Sequence, residues 1–246
     1  MRNNKRFRAV QPNNQGHLNQ EGFQIQKDKK TIQGEFQKAL EIFTDDYELN
    51  YSGRTDAGVH AKAQILSVKT HLLINNKIIN SMNKILGDEI SINSFKAATN
   101  SFHARYDATH RTYKYFVSDN KQNLPYLKRQ SFLYSKKLDI KKLNKVSNLF
   151  LGEHNFSAFS KTTANQNPNR EVYRSQWTKK RDYFEYTVIG NSFLRNMVRN
   201  LVGAQIAYLE NKISYNEIIK NLDNPKKQRV NHIAPPHGLV LWNVKY

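Results

Sequence analysis

Arg111-Thr112-Tyr113-Lys114-Tyr115-Phe116-Val117 sets Tyr113, Tyr115 and Val117 on one face, the two-residue period of a strand packed on one side. Working outward from it, residues 139–150 carry Ile140, Leu143, Val146 and Leu149 at helical spacing. Glu171 to Lys179 and Tyr183 to Ile189 read as paired strands joined by a turn. Asn191 or Ser192 is the expected cap of a long helix running to about Glu210, and Ser214 opens a shorter one through a capping box with Glu217. Leu239 to Tyr246 closes the chain as a strand. That order is β-α-β-β-α-β with one additional helix, a ferredoxin-like arrangement.

The same order is written once before. Thr31 caps a helix to Phe43 that buries Ile32, Phe36, Ala39, Leu40 and Phe43. Tyr47 to Ser52 and Ala63 to Thr70 follow as strands. Lys77 to Leu86 is a helix ended by Gly87, and Ile90 to Ala97 returns as a strand. Gly34, in the first turn of its helix, costs about 1 kcal/mol relative to Ala. The expected fold class is α+β: two ferredoxin-like halves with antiparallel sheets, residues 1–105 and 106–246, split near residues 100–108. The first half lacks a convincing opening strand. Residues 1–21 are atypical, rich in Asn, Gln, Arg and Lys, and only Arg6 to Val10 has strand character.

Composition narrows the function. The chain has 246 residues, of which 38% are hydrophobic, enough for a sizeable core. No run approaches the roughly 18 apolar residues of a membrane span, and Met1 to Gln20 holds no apolar stretch of the secretory kind. The expectation is a cytoplasmic protein without membrane attachment. Zero cysteines exclude disulfides, thiolate metal sites and Cys nucleophiles. Lys and Arg number 39 against 20 Asp and Glu, a formal charge of +19, which attracts polyanions over long range. Charge alone does not separate RNA from DNA. A DNA-binding regulator has no helix-turn-helix or zinc motif here to support it.

The chemistry lies in a turn. Gly53-Arg54-Thr55-Asp56-Ala57-Gly58-Val59-His60-Ala61 presents a cation, a hydroxyl and a carboxylate in three consecutive residues between two glycines. Taken alone, such a turn is better read as a solvated one in which Asp56 bonds its own backbone.

These nine residues resemble the catalytic motif of the TruA family of tRNA pseudouridine synthases. The resemblance continues through Gly22-Phe23-Gln24-Ile25-Gln26 with Thr31-Ile32-Gln33, then Phe102-His103-Ala104-Arg105 and Arg111 to Tyr115. It extends through Leu151-Gly152-Glu153-His154-Asn155-Phe156, Phe193 to Asn200 with Val202-Gly203, and Ala234-Pro235-Pro236 to Tyr246. It implies a catalytic core with its cleft between the halves, isomerisation of uridines 38, 39 and 40 in the tRNA anticodon stem-loop, a homodimer, and no cofactor or metal. Asp56 then matches the essential carboxylate, and Arg199 is the cation expected to keep it ionised. Tyr113 matches a ring that stacks on the target uracil and can handle its proton. Arg54, with Thr55, matches the group holding the nucleotide out of the stack. Met197, Leu201 and Phe193 are read as core. His60, His103 and His154 have no zinc spacing and are read as structural or RNA-contacting. The family opens with a strand leading into Tyr-Asp-Gly, where this chain has Asn14-Gln15-Gly16-His17-Leu18-Asn19-Gln20-Glu21. That departure motivates an alternative of the same fold, a tRNA-binding protein with impaired catalysis.

Overall fold

The computed structural model describes residues 3–11, 21–120, 129–161, 166–225 and 230–246. Asn14 to Gln20, which stand in place of the family's Tyr-Asp-Gly, lie outside them. The chain divides into two compact units, Met1–Thr109 with Leu241–Tyr246, and His110–Val240. The closing residues, assigned above to the second half, thus belong with the first unit.

In the first unit, β1 (Asn3–Gln11), β2 (Tyr47–Tyr51), β3 (His60–Thr70) and β4 (Ser91–Ala98) form an antiparallel sheet. Their order is β4-β1-β3 with β2 on the other side of β3. The opening strand is therefore present, longer than the Arg6 to Val10 stretch with strand character. Its register pairs Phe7 with both Leu66 and Phe95. Polar Asn4, Lys5 and Arg6 precede the fully buried Phe7, so partners on both edges, not local propensity, set this strand.

Helices α1 (Ile32–Glu41) and α2 (Asn76–Leu86) cover one sheet face. Phe7, Phe36, Leu40, Leu66, Val68 and Met82 meet there in one core. Both helices start on a side-chain cap. Thr31 Oγ1 accepts from the Gly34 N–H at 3.2 Å and Asn75 Oδ1 from the Ile78 N–H at 3.1 Å, each worth about 1 kcal/mol. A Cβ on Gly34 would lie 3.0 Å from the Thr31 hydroxyl oxygen, so the glycine that weakens the helix also leaves room for its cap.

In the second unit, β5 (His110–Ser118), β9 (Phe184–Gly190), β8 (Asn169–Lys179) and β7 (Gly152–Asn155) pair antiparallel in that order. The short β6 (Phe132–Leu133) runs parallel to β5. Residues 151–156, for which no strand was expected above, contain β7. Helices α3 (Ile140–Ser147), α4 (Met197–Leu209) and α5 (Tyr215–Asp223) follow, the last with the expected Ser214/Glu217 capping box. Tyr115, Val117, Trp177, Tyr186 and Leu201 are buried. Their polar atoms are satisfied: Trp177 Nε1 donates to Gln205 Oε1 at 2.7 Å, and the Tyr186 hydroxyl sits 2.7 Å from Ser175 Oγ.

The long helix starts at Met197, later than the Asn191 or Ser192 cap expected. Asn191 Oδ1 is spent elsewhere, accepting from the backbone N–H groups of Ser192 and Glu171. Asn196, at φ 62°, makes the abrupt entry instead. The last strand, β10 (Leu239–Lys245), neighbours β3.

Candidate active-site turn

Ser52 to Val59 joins β2 to β3, and three hydrogen bonds staple its base. Ser52 N–H donates to Ile65 O at 2.8 Å, Ser52 Oγ to Gln64 Oε1 at 2.6 Å, and Gln64 Nε2 to Gly53 O at 2.8 Å. At the tip, Val59 N–H donates to Asp56 O at 3.1 Å, and Gly58 takes φ 77°, the sign a type II turn needs at that position. A side chain there would be strained, which explains the glycine.

The three functional candidates of this turn point to different surroundings. Arg54 is exposed, its Nε donating to the Tyr51 hydroxyl at 3.0 Å and its guanidinium 5.8 Å from the Tyr51 ring centre. Asp56 is half-buried. Thr55 between them is 5% exposed, and its hydroxyl is closed to solvent with no protein partner. Its side chain thus faces the interior, while its carbonyl accepts from the Phe23 N–H at 3.0 Å. Ser52, Gln64 and Phe23 support the turn, and residue-by-residue reading missed Ser52 and Gln64. Their signal was available only as polar residues on a strand next to a Gly-punctuated turn.

The other two candidates are in the second unit. Tyr113 on β5 is 9% exposed and meets the edge of Phe193, ring centres 5.2 Å apart at 83°. Phe193 is only half-buried, a correction to its reading as core, whereas Met197 and Leu201 are fully buried as expected. Arg199 is half-buried on α4, and its Nε donates to Ala234 O at 2.8 Å, while Ala234 N–H returns a bond to Arg199 O at 3.1 Å.

The segment holding Arg199 is tied down further. The Tyr115 hydroxyl donates to Pro235 O at 2.8 Å, and a Cβ on Gly203 would fall 1.9 Å from His232 O. Burial pushes the Tyr115 phenol well above its ordinary range, with Arg199 pulling weakly the other way. His237, beside Ser131 and Arg199, is held below the usual imidazole value chiefly by burial. A fixed cation is the product of this packing, able to favour an anion placed against it.

The histidines serve local structure. His103 Nδ1 accepts from the Arg105 and Tyr106 N–H groups, and His154 Nε2 lies 2.8 Å from Leu151 O. His60 is buried. Among the described residues, no three His, Asp or Glu side chains gather as a metal site, and no helix is long and apolar enough to cross a membrane.

A family model described as tRNA pseudouridine synthase matches residues 146–246. A protein of Borrelia duttonii (strain Ly) named tRNA pseudouridine synthase A is 36% identical over 228 residues, covering 92% of this chain and 93% of its own. Proteins of the same name from Dictyoglomus thermophilum and Bacillus subtilis (strain 168) are 37% and 33% identical, covering 92% and 94% of this chain and 94% and 95% of theirs. Among solved structures, an archaeal box H/ACA sRNP Nop10–Cbf5 complex aligns with 82% of this chain and 52% of its own at 11% identity, TM-score 0.32. Near-complete coverage at these identities settles membership, and the chain belongs to the tRNA pseudouridine synthase A family.

Proposed function

We propose that this protein isomerises uridine to pseudouridine at positions 38, 39 and 40 of the tRNA anticodon stem-loop, acting as a cytoplasmic homodimer without metal or cofactor. The observation that carries the reading is the Gly53 to Ala61 turn, which is intact in sequence and stapled at its base by Ser52 and Gln64 with Asp56 half-buried at its tip.

In this reaction the bond from ribose C1′ to uracil N1 breaks, the base rotates, and C5 bonds to C1′. The C5 proton is lost and N1 gains one, so atoms balance without a second reactant. Asp56 is the catalytic carboxylate, and three routes are open to it: addition at C1′, proton abstraction at C2′, or addition to the uracil ring. All three require the ionised form, which the Arg199 cation supports. Tyr113 stacks on the uracil, and its hydroxyl handles the C5 proton. Arg54 holds the extruded nucleotide; Thr55 aids that binding through its backbone, whose carbonyl ties the turn to the Phe23 N–H. Phosphate and shape contacts dominate tRNA recognition, as a charge of +19 favours.

The alternative of a binding protein with impaired catalysis drew its motive from a missing first strand, and β1 fills that place. Chemical mapping of an unmodified tRNA carrying uridines at 38, 39 and 40 tests the proposal. New pseudouridine confined to those positions is expected. Modification elsewhere alone would overturn the substrate assignment, and none at all would leave the binding protein.

A further inference from the structure

Gly22 and Phe23 touch the turn from outside it. The Phe23 N–H donates to Thr55 O at 3.0 Å, and the Phe23 ring lies 4.7 Å from that of Tyr51, on the strand entering the turn. Gly22, at φ 93°, approaches so closely that a Cβ there would lie 3.2 Å from Thr55 O, 3.2 Å from Ala57 N and 3.5 Å from the Asp56 carbonyl carbon. All three are backbone atoms, which cannot rotate away. On their other side the same two residues are bound to α1: Ile32 N–H donates to Gly22 O at 3.2 Å and Gln33 N–H to Phe23 O at 2.9 Å. Those donors belong to the first turn of the helix, where no intrahelical acceptor exists. The path from the helix to the backbone of Asp56 is therefore continuous, through two residues.

We infer that Gly22 and Phe23 are positioning residues, a seat through which the N-terminus of α1 fixes the Asp56 carboxylate for the reaction. The inference rests on the proposed role of Asp56. At φ 93° any side chain is strained, and a Cβ 3.2 Å from two backbone atoms makes them give by a few tenths of an ångström, so a side chain at position 22 shifts the turn. Since a displacement near 1 Å can cost about a hundredfold in rate, a shift of this size is expected to cost about tenfold. Affinity for tRNA, spread over many phosphate contacts, is left alone.

The test is Gly22→Ala, with kcat at saturating tRNA, KM and tRNA affinity measured beside wild type. Gly152→Ala is the control for backbone strain: Gly152 has φ 92°, but its nearest neighbour for a Cβ is His154 Nε2 at 4.0 Å. The expected result is a kcat reduced at least about tenfold in Gly22→Ala, with KM and affinity unchanged and kcat retained in Gly152→Ala. Equal kcat in the two variants overturns the inference, as does a loss matched by weaker tRNA binding. Should Gly22→Ala not fold, Phe23→Leu decides: a lower kcat at unchanged affinity upholds the seat, and an unchanged kcat removes it. Wild type without any pseudouridine formation would overturn the proposed function and this role together, whereas an active wild type with an unaffected Gly22→Ala overturns only the seat.

Discussion

A hydroxyl shut away from water without a partner costs about 1–3 kcal/mol, and Thr55 carries one next in sequence to Asp56, the proposed catalytic carboxylate. Thr55→Val keeps the shape and removes that cost, so denaturant unfolding is expected to show unchanged or higher stability. A loss above about 1 kcal/mol would mean that the hydroxyl is satisfied after all. The buried Tyr186 phenol gives a second test. Burial raises its pKa to about 12, so the folded state prefers the neutral form. Its stabilisation is complete below about pH 10, the unfolded value, and is lost as pH rises toward 12. Stability measured across that window should fall less steeply in Tyr186→Phe; an identical slope would refute the assignment. The raised phenol of Tyr115 leaves part of the slope in place. Asp56, Arg54, Tyr113 and Arg199 are proposed for the site because local motifs name them. Gly22 stood in a stretch of resemblance that gave it no role: its value is a 3.2 Å approach between segments about thirty residues apart in sequence, which no single stretch encodes.

At the scale of elements, helical periodicity and caps read well: Thr31, Ser214 and Gly87 each stand where their chemistry ends or begins a helix. The misreadings share one cause, since tertiary partners decided them. β1 is held by pairing on both edges, β7 by pairing with β8, and the start of α4 was moved by Asn191 bonding across to Glu171. The clamp between α4 and the residues before β10 yields its own prediction. With a Cβ 1.9 Å from His232 O, Gly203→Ala cannot keep both elements in place. Overpacking of this kind is expected to cost about 3 kcal/mol in thermal or denaturant unfolding and to free Arg199 from Ala234. A variant of wild-type stability would contradict the clamp.

For the whole molecule, the excess of 39 basic over 20 acidic residues is the property read most directly from composition. It makes tRNA binding steeply salt-dependent, with affinity expected to fall at least about tenfold between about 50 and 200 mM salt; a flat response would argue against phosphate contacts as its basis. The β-α-β-β-α-β order read from the sequence is found in the first unit, whereas the second carries the added strands β6 and β7, and most of the closing strand belongs with the first. That Leu241–Tyr246 rejoins the first unit was not legible, because a terminal strand carries no sign of which sheet edge receives it. The central claim is that the chemistry requires one carboxylate, Asp56, whereas tRNA binding does not depend on it. Pseudouridine formation on unmodified tRNA by wild type and Asp56→Asn, with tRNA affinity measured on both, tests it most directly. The account predicts turnover by wild type, none by Asp56→Asn, and equal affinity; turnover by the variant would contradict it.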